Sequence, residues 1–531
     1  MSARCVAICA YFALLSAAAM AMAMAMATAA QTDRVLKIHE GSVRGIEQGK
    51  AYAFLGIPYA AAPVGERRWR APDRPAAWSG IRDATHFGAN CYQGSADEFG
   101  PFTAEFLITP PSSEDCLYQN VWTPRHRSGR LPVLVWIHGG GFGSGSASIP
   151  IYNGAHLAAR GAVVVGINYR LGVFGFLAHP ELTRDSPGSG NYALLDMIAA
   201  LQWVNKNIAT FGGDAHRVTI AGQSAGAAAV NSLLLAPQAR GLFAAAIAES
   251  GSGMGLRTAM LAEAEAIGLE LAHTAGVNSI AQLRAIPADR LLALTLVKAP
   301  SSDQAGPPPI KFAPVLDHKV LSDDPENPLA GPTGAVPLLT GFNTDEGAIY
   351  GRQHLTSEQF EASVRGRYKE FATRFLAVYP HATVEEASQS ANDLARDRYM
   401  ASLLFWVEGR RSTGQRIYAY QFDHALPGPE AARYGAFHTA EVPYVFGVLD
   451  QGGRPFTDRD REVSDQLGGY WLNFMRAGDP NSAGLKPWPD AGAGDVMGLG
   501  DQVGARPAVS APARLTLFRD YVASGGKLSL F

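Results

Sequence analysis

The chain has 531 residues, of which 47% are hydrophobic and 18% charged, so it is neither a small disulfide-held scaffold nor an apolar-poor disordered segment. Its 45 Lys and Arg nearly balance 48 Asp and Glu, for a formal net charge of -3 without a run of like charge, and nucleic acid finds no electrostatic footprint. At roughly 100 to 200 residues per domain the length allows two to four domains or one large one, and 57 Gly with 33 Pro suit a many-stranded, turn-rich enzyme better than a helical bundle.

Arg4 precedes an apolar stretch from Cys5 to Ala30 that ends in Ala27-Thr28-Ala29-Ala30, ahead of the polar Gln31 to Arg34. A basic residue, an apolar run and small residues at its end describe a signal peptide over residues 1–30, which on cleavage leaves no stable membrane anchor. The expected destination is the periplasm or the medium. A bias to Arg over Lys and the abundance of Ala point to a bacterial source. Cys5 and Cys9 leave with the signal, and the remaining even pair, Cys91 and Cys116, reads as one disulfide in an exported chain. No C-x-x-C or H-E-x-x-H spacing occurs, so no metal site is expected.

After the signal, the first hundred residues are short apolar pieces between Gly and Pro, such as Tyr52 to Tyr59, and read as short strands and loops. Leu131 to Ile137 is a continuous apolar run, and Ala162 to Tyr169 repeats it; such runs fit strands buried on both faces of a mainly parallel sheet. From Tyr192 onward Leu194, Leu195, Ile198, Leu201, Val204 and Ile208 line one helical face. Gly212-Gly213-Asp214 stops that helix, and Arg217 to Ala221 follows as a strand. Further strands are expected at 244–248, 336–339 and 416–422, with an edge strand at 513–518. Residues 255–310 and 355–412 look mostly helical, as insertions between strands, and Ala305-Gly-Pro-Pro-Pro309 is a loop within one domain. Alternating strands and helices make the fold class α/β.

Gly222-Gln-Ser224-Ala-Gly226 sits after one of these strands and before a helix-like run, the context that a G-x-S-x-G nucleophile elbow requires. Glycines on both sides let the backbone turn sharply and lift the serine hydroxyl above the sheet. A serine needs a base and a site for the oxyanion. His138-Gly139-Gly140-Gly141 follows a buried strand and can supply N–H groups from Gly140 and Gly141, with a third from Ala225. The acid and the base should come later in the chain. Asp345 and Glu346 are adjacent candidates for the acid; His354, His381, His424 and His438 are candidates for the base, and the residues alone leave these choices open.

Several longer stretches carry a resemblance. Glu114-Asp-Cys-Leu-Tyr-Gln-Asn-Val-Trp122, Phe211-Gly-Gly-Asp214 through Gly226, Ala62 to Trp69, Asn168 to Phe176, Tyr470 to Phe474 and Gly478-Asp-Pro-Asn481 are similar to the fingerprints of the type-B carboxylesterase and cholinesterase-like family. The resemblance runs from about Val35 to Phe518. It implies the α/β-hydrolase fold, with a large, mostly parallel central sheet flanked by helices and carrying helical insertions, as a single domain over 31–531. By position it places the acid on Glu346 and the base on His438, and it matches Cys91 and Cys116 to the family's loop disulfide. The reaction it implies is acyl transfer through Ser224 on a small-molecule ester, with no cofactor.

Cholinesterases of the family have an acidic residue before the serine and a tryptophan in the disulfide loop. Here Gln223 takes the first place, and residues 92–115 contain no Trp, so a choline cation lacks its best ring and its companion charge. A general carboxylesterase is therefore expected. The alternatives are a narrow esterase for one bulky xenobiotic, toxin or polymer ester, and a non-catalytic binding protein of this fold, which the intact triad positions disfavour.

Overall fold

Leu131–Ile137 and Val163–Ile167, the two unbroken apolar runs, lie side by side in parallel with Val133 opposite Val163. Side chains alternate across the sheet: Val133, Val135 and Ile137 join one core with Leu194 and Leu201, while Leu134 and Trp136 join the other with Phe446 and Trp471. Both faces are covered, which is why these strands carry no polar alternation.

The computed structural model describes residues 34–528 except 96, 110, 186–187, 256–257, 296–311, 332–335 and 492–493. The expected signal peptide over 1–30 and the Pro-rich stretch 305–309 lie outside the described residues. Among the described residues the main sheet has 13 strands. From Val163–Ile167 through Leu131–Ile137, Gly213–Gln223, Ala245–Glu249, Leu338–Asn343 and Ile417–Phe422 to Asp495–Leu499, neighbouring strands run parallel. Gly504–Pro507 closes this side antiparallel. On the other side Tyr118–Pro124, Ala51–Pro58, Gly41–Gln48 and Arg34–Ile38 pair antiparallel. The sheet is thus mixed, with the expected parallel centre, and the α/β-hydrolase architecture is present.

Tyr192–Asn207 forms the expected amphipathic helix. The insertions are helical as well: Leu261–Thr274, Ile280–Ala285 and Ala288–Thr295 in the first, Ser357–Tyr368, Ala372–Val378 and Val384–Arg411 in the second. Among the described residues no helix is long and apolar enough to cross a membrane.

One element differs from expectation. Residues 513–518 are not an edge strand but part of the helix Pro512–Ala523. Pro512 stands in its first turn, where a fixed φ and a missing N–H favour a helix start. Phe518 then packs its ring 5.2 Å from that of Phe375. Tertiary burial of Leu517 and Phe518 overrides the short alternation that suggested a strand.

Ile137, Gln223, Glu249, Asn343 and Phe422 all end parallel strands at one edge of the sheet. Loops leaving that edge converge above it, as is usual for sites on α/β sheets.

Candidate active site

Ser224 links the strand Gly213–Gln223 to the helix Ala225–Leu234 and holds φ 59°, ψ -125°, a conformation that L-residues seldom adopt. Its N–H donates to the Glu249 carbonyl at 2.9 Å, which fixes the turn from below. A Cβ on Gly222 would stand 2.6 Å from the Gly226 carbonyl carbon, and one on Gly226 would collide with the Ile137 carbonyl. The two flanking glycines are therefore required by backbone contact.

Glu346 and His438, 92 residues apart, meet beside this turn: Nδ1 of His438 donates to Oε2 of Glu346 at 2.5 Å. The other carboxylate oxygen of Glu346 accepts from the Ser250 hydroxyl at 2.5 Å and from the Asn343 N–H at 2.8 Å. Asp345 faces away and is held by Arg352 at 2.8 and 3.0 Å and by the Ala436 N–H at 3.0 Å. Of the four candidate histidines, His438 lines the Ser224 cavity. His424 lies between Asp460 and Asp501, His381 beside Glu361, and His354 on the surface. Burial opposes a charge on His438, but the Glu346 carboxylate, its hydrogen bond and the Glu441 charge together raise its pKa above 6.5.

With Nδ1 donating to Glu346, Nε2 of His438 keeps its lone pair. It stands 3.2 Å from Nε2 of Gln223, while Ser224 Oγ makes no hydrogen bond to a described residue. Triad contacts of this kind are often loose before substrate arrives.

Gly140 and Gly141 have φ of 110° and 61° and line the same cavity as Ser224. No carbonyl among the described residues takes their N–H groups or that of Ala225. The preceding His138 is buried with its ring stacked on Tyr169, centroids 4.4 Å apart. Burial lowers its pKa to about 4, so it is a neutral structural group. The cavity measures about 830 Å³ and is lined mostly by apolar residues, among them Phe99, Phe102, Phe106, Phe142, Phe176 and Phe312.

Sequence reading missed the polar layer behind the histidine. Ser250, with φ 53°, ends its strand so that its hydroxyl reaches Glu346. Glu249 and Glu441 are fully buried; Trp471 donates to Glu249 at 2.8 Å and Asn343 to Glu441 at 2.5 Å. Burial and the Glu441 charge raise Glu249 well above the usual carboxylate range, and burial and the Glu346 charge raise Glu441 to about 7. For Glu249 and Ser250 the signal is a polar pair at the end of the strand Ala245–Glu249, where a buried sheet otherwise places apolar residues; Glu441 precedes the short helix Val442–Phe446 and carries no such signal.

The carboxylesterase family matches residues 32–505. The chain belongs to this family. As a carboxylesterase, a carboxylic ester hydrolase, it is 36% identical over 498 residues to the fumonisin B1 esterase of Sphingopyxis macrogoltabida, covering 90% of this chain and 89% of that one. It is 34% identical over 479 residues to the para-nitrobenzyl esterase of Bacillus subtilis (strain 168), covering 86% and 92%. The phenmedipham hydrolase of Pseudarthrobacter oxydans is also 34% identical, over 477 residues, covering 87% and 94%. A solved PNB esterase structure superimposes with a TM-score of 0.75 at 32% identity, over 92% of this chain and 100% of that one.

In this carboxylesterase the disulfide joins Cys91 to Cys116. The loop it closes is pinned by Arg454, which bonds Glu105 at 2.7 Å and the Thr103 hydroxyl at 2.9 Å. Phe102 and Phe106 of that loop pack on Phe437, with centroids 5.6 and 5.9 Å away. The cavity wall is thereby tied to the residue before His438.

Proposed function

We propose that this carboxylesterase is an exported serine hydrolase, made as one catalytic domain over 31–531 behind a signal peptide over 1–30, that cleaves small-molecule esters through an acyl-enzyme. Ser224 Oγ attacks the ester carbonyl while Nε2 of His438 takes its proton, and Glu346 holds the imidazole and stabilises the imidazolium. The N–H groups of Gly140, Gly141 and Ala225 receive the charge that develops on the carbonyl oxygen. His438 then protonates the leaving alcohol, and a water that it deprotonates releases the acid.

The observation that carries this reading is the 2.5 Å bond of His438 to Glu346 beside a strained serine in a cavity shared with Gly140 and Gly141. Its test is a panel of aryl, alkyl and choline esters, with Ser224→Ala as control. Aryl and alkyl esters should turn over faster than choline esters, and Ser224→Ala should lose several orders of magnitude while remaining folded. Near-normal turnover by that variant refutes the assignment.

A second reading, a narrow esterase for one bulky ester, is favoured by the cavity, since about 830 Å³ is near the upper end of small-molecule sites. Two relatives are named for single compounds, fumonisin B1 and phenmedipham. One ester preferred by orders of magnitude in the panel supports this reading; a flat profile removes it.

A further inference from the structure

Glu326 is the one carboxylate among the described residues that lines the Ser224 cavity. It comes from the irregular stretch between Val315–Leu316 and Leu338–Asn343, and its neighbours on the wall include Thr258, Ala259, Phe312 and Pro325. Oε2 accepts the Gly255 N–H at 2.8 Å, which anchors the side chain from behind. Arg410, the nearby cation on the helix Val384–Arg411, gives its guanidinium to the carbonyls of Pro325 and Ala330, and no cation among the described residues forms an ion pair with Glu326. A carboxylate in a mainly apolar cavity with no cation paired to it is poorly compensated.

We propose that Glu326 is a specificity-determining residue that gives this cavity a preference for esters bearing a protonated primary or secondary amine. Such an ammonium brings both the missing charge and N–H donors for a charge-assisted hydrogen bond, which is stronger than a neutral one. A quaternary ammonium feels the same charge but has no N–H to donate, and for close contact it relies on aromatic faces. The absence of Trp from residues 92–115 and the presence of Glu326 therefore select different cations. The word ester in this proposal rests on the hydrolase reading above; the amine preference does not, and it can be measured by binding alone.

Titration supports the geometry. Burial pushes the Glu326 carboxyl up to about 7, with Asp324 adding to the rise, against the backbone N–H groups of Gly255 and Met254 and the charge of Arg410. Below that pH the carboxyl is neutral and the preference should fade; above it the carboxylate is charged and the preference should be full. His438 shares the cavity and repels cations when protonated, so the pH effect must be separated from it by changing Glu326 itself.

The test is titration calorimetry on the intact protein with hexylammonium chloride and hexan-1-ol, ligands of equal length that differ in charge. Near pH 8 hexylammonium should bind roughly tenfold tighter than the alcohol, and the preference should shrink near pH 6. Glu326→Gln keeps an acceptor for the Gly255 N–H and should show no ammonium preference at either pH. Equal or weaker binding of hexylammonium near pH 8, or a preference that Glu326→Gln retains, overturns the proposal. If that variant does not fold, Glu326→Ala takes its place with the same expectation, and equal binding of the two ligands by the wild-type protein near pH 8 still overturns the proposal. Hydrolysis of a neutral aryl ester by the wild-type protein, measured alongside, reports the esterase reading separately.

Discussion

The side-chain amide of Gln223 stands 3.2 Å from Nε2 of His438, on the lone pair that accepts the proton of Ser224 in the proposed mechanism. An amide N–H can share that position and give way, and it adds no charge. Gln223→Glu would place an anion there, which stabilises the imidazolium and raises the pKa of His438. The acidic limb of kcat/KM should then move to higher pH by about one unit. An unmoved limb would show that Gln223 has no contact with the base during turnover.

Glu441 acts on the same proton from the other side. Its charge contributes to the raised pKa of His438, so Glu441→Gln should shift the acidic limb to lower pH, while the amide oxygen can still accept from Asn343. In the unaltered protein activity should fall as pH drops through a value above 6.5, the ordinary histidine value, because protonated His438 cannot serve as base. A rate constant across about pH 5 to 8 contradicts this.

The two adjacent carboxylates separate by their partners. In Glu346→Gln the Ser250 hydroxyl and the Asn343 N–H hold the amide oxygen, so the NH2 group faces Nδ1 of His438, and the loss of acceptor and charge should lower kcat by a factor on the order of 10⁴. Asp345→Asn, which loosens only the hold on Arg352 and Ala436, should cost far less activity. His438→Ala and His424→Ala form the matching pair for the base: the first should be nearly inactive, and the second should keep its activity. Steady-state kinetics on these four variants, with circular dichroism to confirm folding, checks the set.

Much of this site was legible as residues because its local parts have local causes. The apolar run 131–137, the glycines around Ser224 and the three glycines after His138 need only the backbone physics of one strand end. The meeting of His438 with Glu346, and of His424 with Asp460, has no local cause; the partners lie 92 and 36 residues apart in sequence. The family resemblance supplied what periodicity could not. Residues 513–518 resemble a strand because Ala513, Leu515 and Leu517 alternate with Arg514 and Thr516, whereas the helix is set by burial of the successive Leu517 and Phe518. Glu326 stayed hidden for a similar reason: Asp323-Asp-Pro-Glu-Asn327 reads as a solvated turn, and only the folded chain turns one of its carboxylates toward the cavity.

The disulfide loop offers a stability test. Arg454 and Glu105 have side chains only 16% and 6% exposed, so Arg454→Ala leaves a buried carboxylate without its cation and should cost about 3–5 kcal/mol. Changing both, as Arg454→Met with Glu105→Gln, should recover part of that loss. Replacing Cys91 and Cys116 by Ser should cost about 3 kcal/mol, given the length of the loop they close. Thermal unfolding of the variants measures each change; a Tm equal to wild type in Arg454→Ala removes the claim that this pair pins the cavity wall.

The central claim, that Ser224 is the nucleophile, is tested most directly by peptide mass spectrometry after titration with a fluorophosphonate, which captures activated serines. One adduct per chain should form on Ser224, with loss of ester hydrolysis in proportion to labelling and no adduct in Ser224→Ala. Inhibition with the adduct on another residue, or full labelling of Ser224 with hydrolysis intact, would contradict it.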